Sequence, residues 1–201
     1  MQFTKEFIHQ FYQLEGIREK HHQHNIYSNE HSCRRYEKVV NGLKKYVSGK
    51  VCLEIGCAEG LYCREMLKAG AEFVIGYELS APKLDRAERD KKIVYVKGNW
   101  DDLPFIENSF DFTLLTECLE HSFEPQTLID NIMKITKQVM VTVPIKEELY
   151  DNPFIPRPEG LPPSGHLQAF RKETFLPLFQ KYNVECYEEN TLYAYLVASK
   201  I

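Results

Sequence analysis

The sequence has no apolar run long enough to cross a membrane. Near the N-terminus, Lys5, Glu6 and His9 interrupt the first apolar residues, so the continuous apolar segment of a signal peptide is missing as well. No membrane partner is therefore expected, and the expected location is the cytoplasm. The 201 residues, of which 43% are hydrophobic, fit a single globular domain with a substantial core.

The sequence also lacks any cysteine pair of the C-x-x-C type. Many zinc sites and dithiol redox sites use such pairs, so the cysteine spacing indicates neither. We expect reduced, mostly buried thiols for all six cysteines, which are Cys33, Cys52, Cys57, Cys63, Cys118 and Cys186.

A strong excess of one charge is missing too, because the net charge at pH 7 is only −4. Residues 1–50 carry nine Lys or Arg against five Asp or Glu, so the remainder of the chain is clearly acidic. The overall acidity argues against a general nucleic-acid binder. The mildly basic N-terminal segment, with Arg34, Arg35, Lys44 and Lys45, nevertheless suits an anionic acceptor.

One glycine turn stands out at Val51-Cys-Leu-Glu-Ile-Gly-Cys-Ala-Glu-Gly60, where an apolar run with an acid near its end leads into the turn. A dinucleotide fingerprint would need glycine at Ala58 and Leu61, so the spacing argues against a nicotinamide-dependent oxidoreductase. The pattern instead predicts a nucleotide-type cofactor site. Its candidate residues are Glu54, Gly56, Cys57, Ala58, Glu59 and Gly60.

From Val51 onward, short apolar runs alternate with helical patterns, which predicts an α/β fold with a parallel sheet covered on both faces. A final pair of runs predicts a hairpin that makes the last strand antiparallel. Residues 1–48 are expected to form a helical extension or cap on a domain at 49–201. The predicted strands are 51–55, 73–77, 93–96, 110–116, 138–143, 184–187 and 192–199, and the predicted helices are 60–69, 82–90, 125–136 and 173–182.

Glu78 ends the second apolar run, 22 residues after Gly56. An acid at this distance, at the tip of the neighbouring strand, can accept hydrogen bonds from both ribose hydroxyls of a nucleotide. The next such segment is Val96-Lys-Gly-Asn-Trp-Asp-Asp-Leu-Pro-Phe105. Its Asn99 could accept a hydrogen bond from an adenine amine. Trp100 could cover the purine ring, or it could equally be an ordinary core aromatic.

These segments resemble class I S-adenosylmethionine-dependent methyltransferases, with Ala58 and Asn99 where that family usually has Gly and Asp. The resemblance implies a Rossmann-like seven-stranded sheet of order 3-2-1-4-5-7-6, with the last strand antiparallel, and S-adenosylmethionine as the cofactor. It adds Leu79, Asp101, Thr116 and Glu117 to the expected cofactor-binding residues.

The fourth apolar run leads into Glu117-Cys-Leu-Glu-His-Ser122. A helix beginning at Glu117 would place Glu117, Glu120 and His121 on one face, where they would suit a divalent Mg, Mn, Fe or Zn ion. The E-x-x-E-H pattern resembles small-RNA terminal 2′-O-methyltransferases and ubiquinone-pathway O-methyltransferases. In the RNA group a later histidine completes the site, and His166 has the comparable place here. Leu-Glu-His also occurs in members without a metal, where the histidine is structural or a base.

We therefore predict methyl transfer from S-adenosylmethionine, with His121 as the candidate base. A base favours an oxygen acceptor, and the acidic charge balance favours a small hydroxylated metabolite or sugar. The alternatives are a metal-dependent RNA 2′-O-methyltransferase and a catalytically silent domain that binds a partner. The proline-rich segment 151–166 is expected to be a lid on the acceptor side.

Overall fold

The computed structural model describes residues 4–18, 30–145 and 165–201, so most of the predicted lid lies outside the described residues. Seven strands form the sheet: β1 (Val51–Ile55), β2 (Phe73–Glu78), β3 (Ile93–Lys97), β4 (Phe112–Thr116), β5 (Gln138–Pro144), β6 (Asn183–Glu189) and β7 (Tyr193–Ser199). The helices are α1 (Lys5–Arg18), α2 (Glu30–Tyr46), α3 (Leu61–Lys68), α4 (Ala81–Asp85), α5 (Pro125–Ile135) and α6 (Lys172–Phe175).

The strands lie in the order β3-β2-β1-β4-β5-β7-β6, which confirms the predicted Rossmann-like sheet. The first five strands are mutually parallel, whereas β7 runs antiparallel to both β5 and β6. The carboxyl ends of the parallel strands therefore share one edge of the sheet. Ligands of open α/β sheets bind at that edge.

Successive side chains of β1 point to opposite faces of the sheet and contribute to the hydrophobic core on each face. Leu53 and Ile55 join the buried cluster that includes α5, while Cys52 joins the cluster that includes α2 and α3. A parallel strand buried on both faces needs such a continuous apolar run. From α2, Val39 and Leu43 are fully buried against the sheet.

Two predicted helices are shorter than their sequence pattern indicated. The helix predicted at 82–90 is α4, which ends at Asp85. The helix predicted at 173–182 is α6 followed by a 3₁₀ turn at Leu176–Phe179, and Pro177 explains the change because it has no N–H for an α-helical hydrogen bond. Within the described ranges, no helix combines the length and the apolar character needed to span a bilayer.

No α-helix begins at Glu117, so the condition for placing Glu117, Glu120 and His121 on one helical face is not met. Glu117 has a φ of 49°, in the left-handed region, and only a 3₁₀ turn follows at Leu119–His121. The Glu117 N–H donates to the carbonyl of Thr142 on β5, at 3.0 Å. This bond continues the pairing of β4 with β5 by one residue.

Candidate active site

A cavity of about 320 Å³ lies at the carboxyl edge of the sheet. One part of its lining, which we call the loop end, comprises Glu54, residues 56–59, Glu78 and Leu79. The other part, which we call the histidine end, comprises Tyr12, residues 116–118, Glu120, His121 and His166. The volume falls within the range of small-ligand sites in proteins.

The loop end begins with a tight turn between β1 and α3. Gly56, Ala58 and Gly60 all have positive φ, at 72°, 47° and 73°. The N–H groups of Gly56 and Cys57 both donate to the carbonyl of Tyr77 on β2, at 2.8 and 3.2 Å. The turn is therefore fixed by backbone bonds to the neighbouring strand, and Ala58 adopts the left-handed conformation that glycine usually takes.

Gly60 is the position in this turn where a side chain is least tolerable. It precedes the first residue of α3, and a Cβ atom there would lie 2.0 Å from the hydroxyl of Tyr95 on β3. Its missing side chain lets the helix start close to the sheet edge, as the glycine pattern predicts.

Glu54 is buried beneath the turn. Its pKa is raised to about 8, chiefly by burial, so the carboxyl group is mostly protonated at pH 7. Its Oε2 atom has no hydrogen-bond partner among the described residues. An unpaired buried oxygen at the cavity wall suits a ligand that brings its own hydrogen-bond donor.

Glu78 lies at the end of β2 with both carboxylate oxygens turned toward backbone donors. Oε2 accepts from the Ala58 N–H at 2.9 Å, and Oε1 accepts from the Ser80 N–H at 2.8 Å. Each carboxylate oxygen has a second lone pair, so two acceptor sites are left for ligand hydroxyls. Glu78 thus joins the glycine turn to the residues that follow β2.

The segment after β3 contributes less to the cavity than predicted. Trp100 lines it, but Asn99 and Asp101 line a much smaller neighbouring cavity. Asn99 Oδ1 already accepts from the Asp101 N–H at 3.2 Å. The Trp100 ring packs edge-on to Tyr12, with centroids 6.3 Å apart, and also contacts the core. Of the other predicted cofactor residues, Glu59, Leu79 and Thr116 all line the main cavity.

At the histidine end, Glu120, His121 and His166 come together. Each offers one ligand atom, and these three atoms lie within 4.8 Å of one another. The segment that carries His166 is held there by Leu167 and Gln168, whose N–H groups donate to the carbonyl of Glu120 at 2.8 and 3.0 Å. Residues 45 apart in sequence are thus brought to one point, and two imidazoles with one carboxylate form a donor set suited to a divalent transition metal.

The fourth predicted metal ligand, Glu117, lies outside this group. Its carboxylate accepts from Arg35 at 2.9 Å and from the Thr142 hydroxyl at 3.0 Å. The prediction assumed a helix, which would have turned Glu117 and Glu120 to the same side. The left-handed backbone at Glu117 removes that relation.

His121 is mostly buried, with 15% of its side chain exposed, and its ring is neutral at pH 7. Burial, with a smaller effect of His166, lowers its pKa to about 3. Its Nδ1 atom lies 2.6 Å from the Tyr12 hydroxyl and 3.0 Å from the carbonyl of Gly165, while Nε2 lies 3.8 Å from Glu120 Oε1. The ring is therefore held on one side and faces the other members of the group with Nε2.

Sequence reasoning missed the contribution of the N-terminal helices to the cavity. Phe11, Tyr12 and Glu15 reach it from α1, and Arg35 reaches it from α2. In the sequence, Phe11 and Tyr12 are part of an ordinary apolar helical pattern, and no motif marks either as a site residue. Only the basic character of the N-terminal segment pointed toward Arg35.

Residues 53–139 match a family model described as a methyltransferase domain. The chain is 26% identical over 125 residues to protein arginine N-methyltransferase 1 of Dictyostelium discoideum, a match that covers 57% of this chain and 36% of that protein. The chain spans less than half the length of the curated relatives it matches.

Solved structures share the fold at low sequence identity. An S-adenosylmethionine-dependent methyltransferase from Mesorhizobium loti matches with a TM-score of 0.66 and 17% identity, covering 81% of this chain and 96% of that one. A chain from the complex that contains the Haloferax volcanii Trm112 methyltransferase activator matches with a TM-score of 0.74 and 14% identity, covering 96% of both chains. With the strand order, these likenesses show that the chain has the fold of the S-adenosylmethionine-dependent methyltransferases, and that residues 53–139 within it match the model of a methyltransferase domain.

Proposed function

We propose that this protein transfers a methyl group from S-adenosylmethionine to a hydroxyl group of a small metabolite or sugar. The observation that carries the proposal is that one cavity is lined both by the loop end and by His121. A cofactor bound along the glycine turn would therefore share an enclosed space with the group proposed to handle the acceptor's proton.

The loop end fits this cofactor by its donors and acceptors. The unpaired oxygen of buried Glu54 can accept a hydrogen bond from an ammonium group. The spare lone pairs of Glu78 can accept bonds from two ribose hydroxyls, and Trp100 offers an aromatic wall. Glu54, Glu78 and Trp100 would thus hold different parts of one molecule.

When bound, S-adenosylmethionine supplies a methyl group on a sulfonium, which is already a good leaving group. The residues of this chain then have two tasks, which are to orient the acceptor hydroxyl and to remove its proton. His121 is the proposed base, because its neutral imidazole can take a proton directly. Burial lowers the pKa of His121 and so weakens it as a base, and a bound metal ion would offer a second route by lowering the pKa of the hydroxyl.

For the metal route, we propose that Glu120, His121 and His166 bind a divalent ion. Their ligand atoms lie within 4.8 Å of one another, and a neutral imidazole is the form that binds metals. Two nitrogens and one oxygen suit Zn, Mn or Fe better than Mg, which prefers oxygen ligands. The expected chemistry is activation and orientation of the acceptor hydroxyl.

The charge of the histidine end supports a small neutral acceptor. Glu117 and Glu120 line the cavity there, and Glu15 and Lys83 line other parts of it. The guanidinium of Arg35 is already paired with Glu117, at 2.9 Å. A polyanion would gain little from such a lining.

The second candidate function is metal-dependent methylation of an RNA 2′-hydroxyl, which the grouping of Glu120, His121 and His166 also favours. It requires a basic surface beside the cavity for the phosphates. On α2, Arg34 and Lys38 are paired with Glu30 and Glu188, so these side chains favour the small acceptor. Titration with a single-stranded RNA at two salt concentrations separates the candidates, since RNA binding weakens steeply as salt rises.

The first test of the proposal is calorimetry with S-adenosylmethionine. We expect binding in the micromolar range, and we expect Glu78→Ala to weaken it by at least about tenfold, because it removes two charged acceptor sites. The exposed substitution Glu72→Ala is the control for loss of one acid. Absence of binding in the wild type would instead support a catalytically silent domain. Transfer of labelled methyl to a panel of hydroxylated metabolites then identifies the acceptor.

A further inference from the structure

Three groups from distant parts of the chain meet beside the ring of His121. The Tyr12 hydroxyl oxygen lies 2.6 Å from His121 Nδ1 and 3.3 Å from the carbonyl oxygen of Gly165. The same carbonyl oxygen lies 3.0 Å from Nδ1. A hydroxyl, a ring nitrogen and a carbonyl thus form a closed triangle at the cavity wall.

The protons of this triangle determine which nitrogen of His121 is protonated. The carbonyl of Gly165 can only accept hydrogen bonds. If Nδ1 had a lone pair, the Tyr12 hydroxyl would donate to it at 2.6 Å, but the lone pair would also face the carbonyl oxygen at 3.0 Å, and that carbonyl would receive no proton from either group. If Nδ1 carries the proton, it donates toward the carbonyl and the Tyr12 oxygen, and the Tyr12 hydroxyl donates to the carbonyl. Only the second arrangement gives all three groups a partner.

We propose that Tyr12 is a positioning residue, which together with the Gly165 carbonyl holds His121 with Nδ1 protonated and Nε2 unprotonated. The Nε2 lone pair then faces Glu120, whose Oε1 is 3.8 Å away, and the neighbouring ring of His166, with centroids 4.9 Å apart. An unprotonated Nε2 is the form of the ring that can accept a proton or bind a cation.

The position of Tyr12 is fixed by contacts that do not involve its hydroxyl. Its ring packs edge-on to Trp100 and to Phe11, with centroids 6.3 and 5.2 Å away. Elsewhere on α1, the Gln13 amide donates to the carbonyl of Leu79, and the Gly16 carbonyl accepts from Arg86 at 3.0 Å. Substitution of Tyr12 by Phe should therefore remove the hydroxyl and leave the helix in place.

The hydroxyl also joins three segments of the site. Tyr12 belongs to α1, His121 to the turn after β4, and Gly165 directly precedes His166. Loss of the hydroxyl removes one acceptor for Nδ1 and one donor to the Gly165 carbonyl. The tautomer with its proton on Nδ1 is therefore less stabilised. The consequence for methyl transfer rests on the proposed function, whereas the protonation pattern itself does not.

The experiment is nitrogen-15 NMR of the histidine rings in the full chain at neutral pH, for the wild type and Tyr12→Phe. His121→Gln assigns the resonances. In the wild type we expect His121 Nδ1 at the shift of a protonated nitrogen and Nε2 at that of an unprotonated one. In Tyr12→Phe we expect both shifts to move part of the way toward each other, because Nδ1 then keeps only the Gly165 carbonyl as an acceptor and the second tautomer becomes partly populated. Leu14→Ala, an exposed position on the same helix, should leave both shifts unchanged.

Two further measurements separate the possible failures. Thermal unfolding and calorimetry with S-adenosylmethionine should show Tyr12→Phe folded and binding within about threefold of the wild type, while methyl transfer falls about tenfold. A protonated Nε2 in the wild type, or unchanged shifts in Tyr12→Phe, would overturn the positioning role. If the expected shifts appear but the wild type does not bind S-adenosylmethionine, the positioning role stands and the proposed function fails.

Discussion

The loop end takes its side chains and backbone groups from β1, β2 and the turns that follow them, whereas the histidine end takes them from three segments that are far apart in the chain. At the loop end, the Ala58 N–H and Glu78, 20 residues apart, are bonded directly. At the histidine end, Tyr12 and His121 are 109 residues apart, and His121 and Gly165 are 44 apart. The two ends line one cavity, but the loop end is built from adjacent strands and the histidine end from distant segments of the chain.

This difference has a physical consequence. Adjacent parallel strands fix the loop end once the sheet has formed, because its turn is bonded to the carbonyl of Tyr77. The histidine end forms only when α1 and the segment at 165–168 also dock on the sheet edge. Long-range contacts of this kind cost more chain entropy than local ones, so the histidine end should be the easier of the two to disturb without unfolding the domain.

The largest effect should come from substitution of Gly60, in the turn that carries the loop end. Gly60→Ala combines a positive φ of 73° with a contact of 2.0 Å to the Tyr95 hydroxyl, whereas Gly49→Ala has a similar φ of 69° and nothing within 4 Å of the added Cβ. We expect Gly60→Ala to lose about 1–3 kcal/mol more stability than Gly49→Ala in urea unfolding, since only it overpacks a filled space. Only Gly60→Ala should also weaken S-adenosylmethionine binding, by tenfold or more. Equal losses for the two variants would contradict the close approach at Gly60.

The next effect concerns the buried acid of the loop end. The pKa of Glu54 is raised from 4.5 to about 8, so between these pH values the unfolded chain has lost this proton and the folded chain still keeps it. The stability of the wild type should therefore fall as pH rises from 4.5 to 8, by about 1.4 kcal/mol per pH unit from this group. Glu54→Gln should remove that part of the slope, and urea unfolding at several pH values measures it. Glu72→Gln, at an exposed position, controls for the lost charge, and parallel curves for Glu54→Gln and the wild type would contradict a neutral buried Glu54.

At the histidine end, two glutamates of one turn provide a matched pair. Glu120→Gln should weaken binding of Zn²⁺ by about tenfold to a hundredfold in calorimetry, because it removes a ligand that lies within 4.8 Å of the two histidine ligands. Glu117→Gln should change it by less than about threefold, since this carboxylate is bonded to Arg35 and Thr142 instead. Equal effects would place Glu117 in the metal site after all. Full methyl transfer in excess chelator would remove the metal from the mechanism.

The positions of the loop-end residues could be predicted from the sequence because these residues lie in adjacent elements, while their binding of the cofactor stays a prediction. The strand, the glycine turn and Glu78 follow one another at fixed spacings, and the sheet brings them together with few alternatives. The order of all seven strands was also predicted, through a resemblance whose motifs lie mainly in this half of the chain.

The histidine end was predicted in part only, and the reason is conformational. Glu120, His121 and His166 are grouped as expected, but a helical spacing rule does not apply where Glu117 adopts a φ of 49°. No local pattern in the sequence predicts that conformation, and in it the Glu117 N–H is bonded to the carbonyl of Thr142 on another strand. The place of Tyr12 depends in the same way on how α1 docks, which no local pattern encodes.

The smallest effect should come from the alanine in the glycine turn. Ala58 has a φ of 47°, so Ala58→Gly relieves left-handed strain but adds conformational entropy to the unfolded chain, and these two terms nearly cancel. We expect a gain of less than about 1 kcal/mol in urea unfolding and S-adenosylmethionine affinity within about threefold of the wild type. Asn108→Gly, at a φ of 57° away from the cavity, is the control for the backbone change, and it also removes the hydrogen bond that Lys200 donates to the Asn108 side chain. The turn is held by bonds to Tyr77 and Glu78 that Ala58→Gly keeps. A tenfold gain in affinity would mean instead that the methyl group of Ala58 obstructs the cavity, and the loop end would then be less complete than its hydrogen bonds indicate.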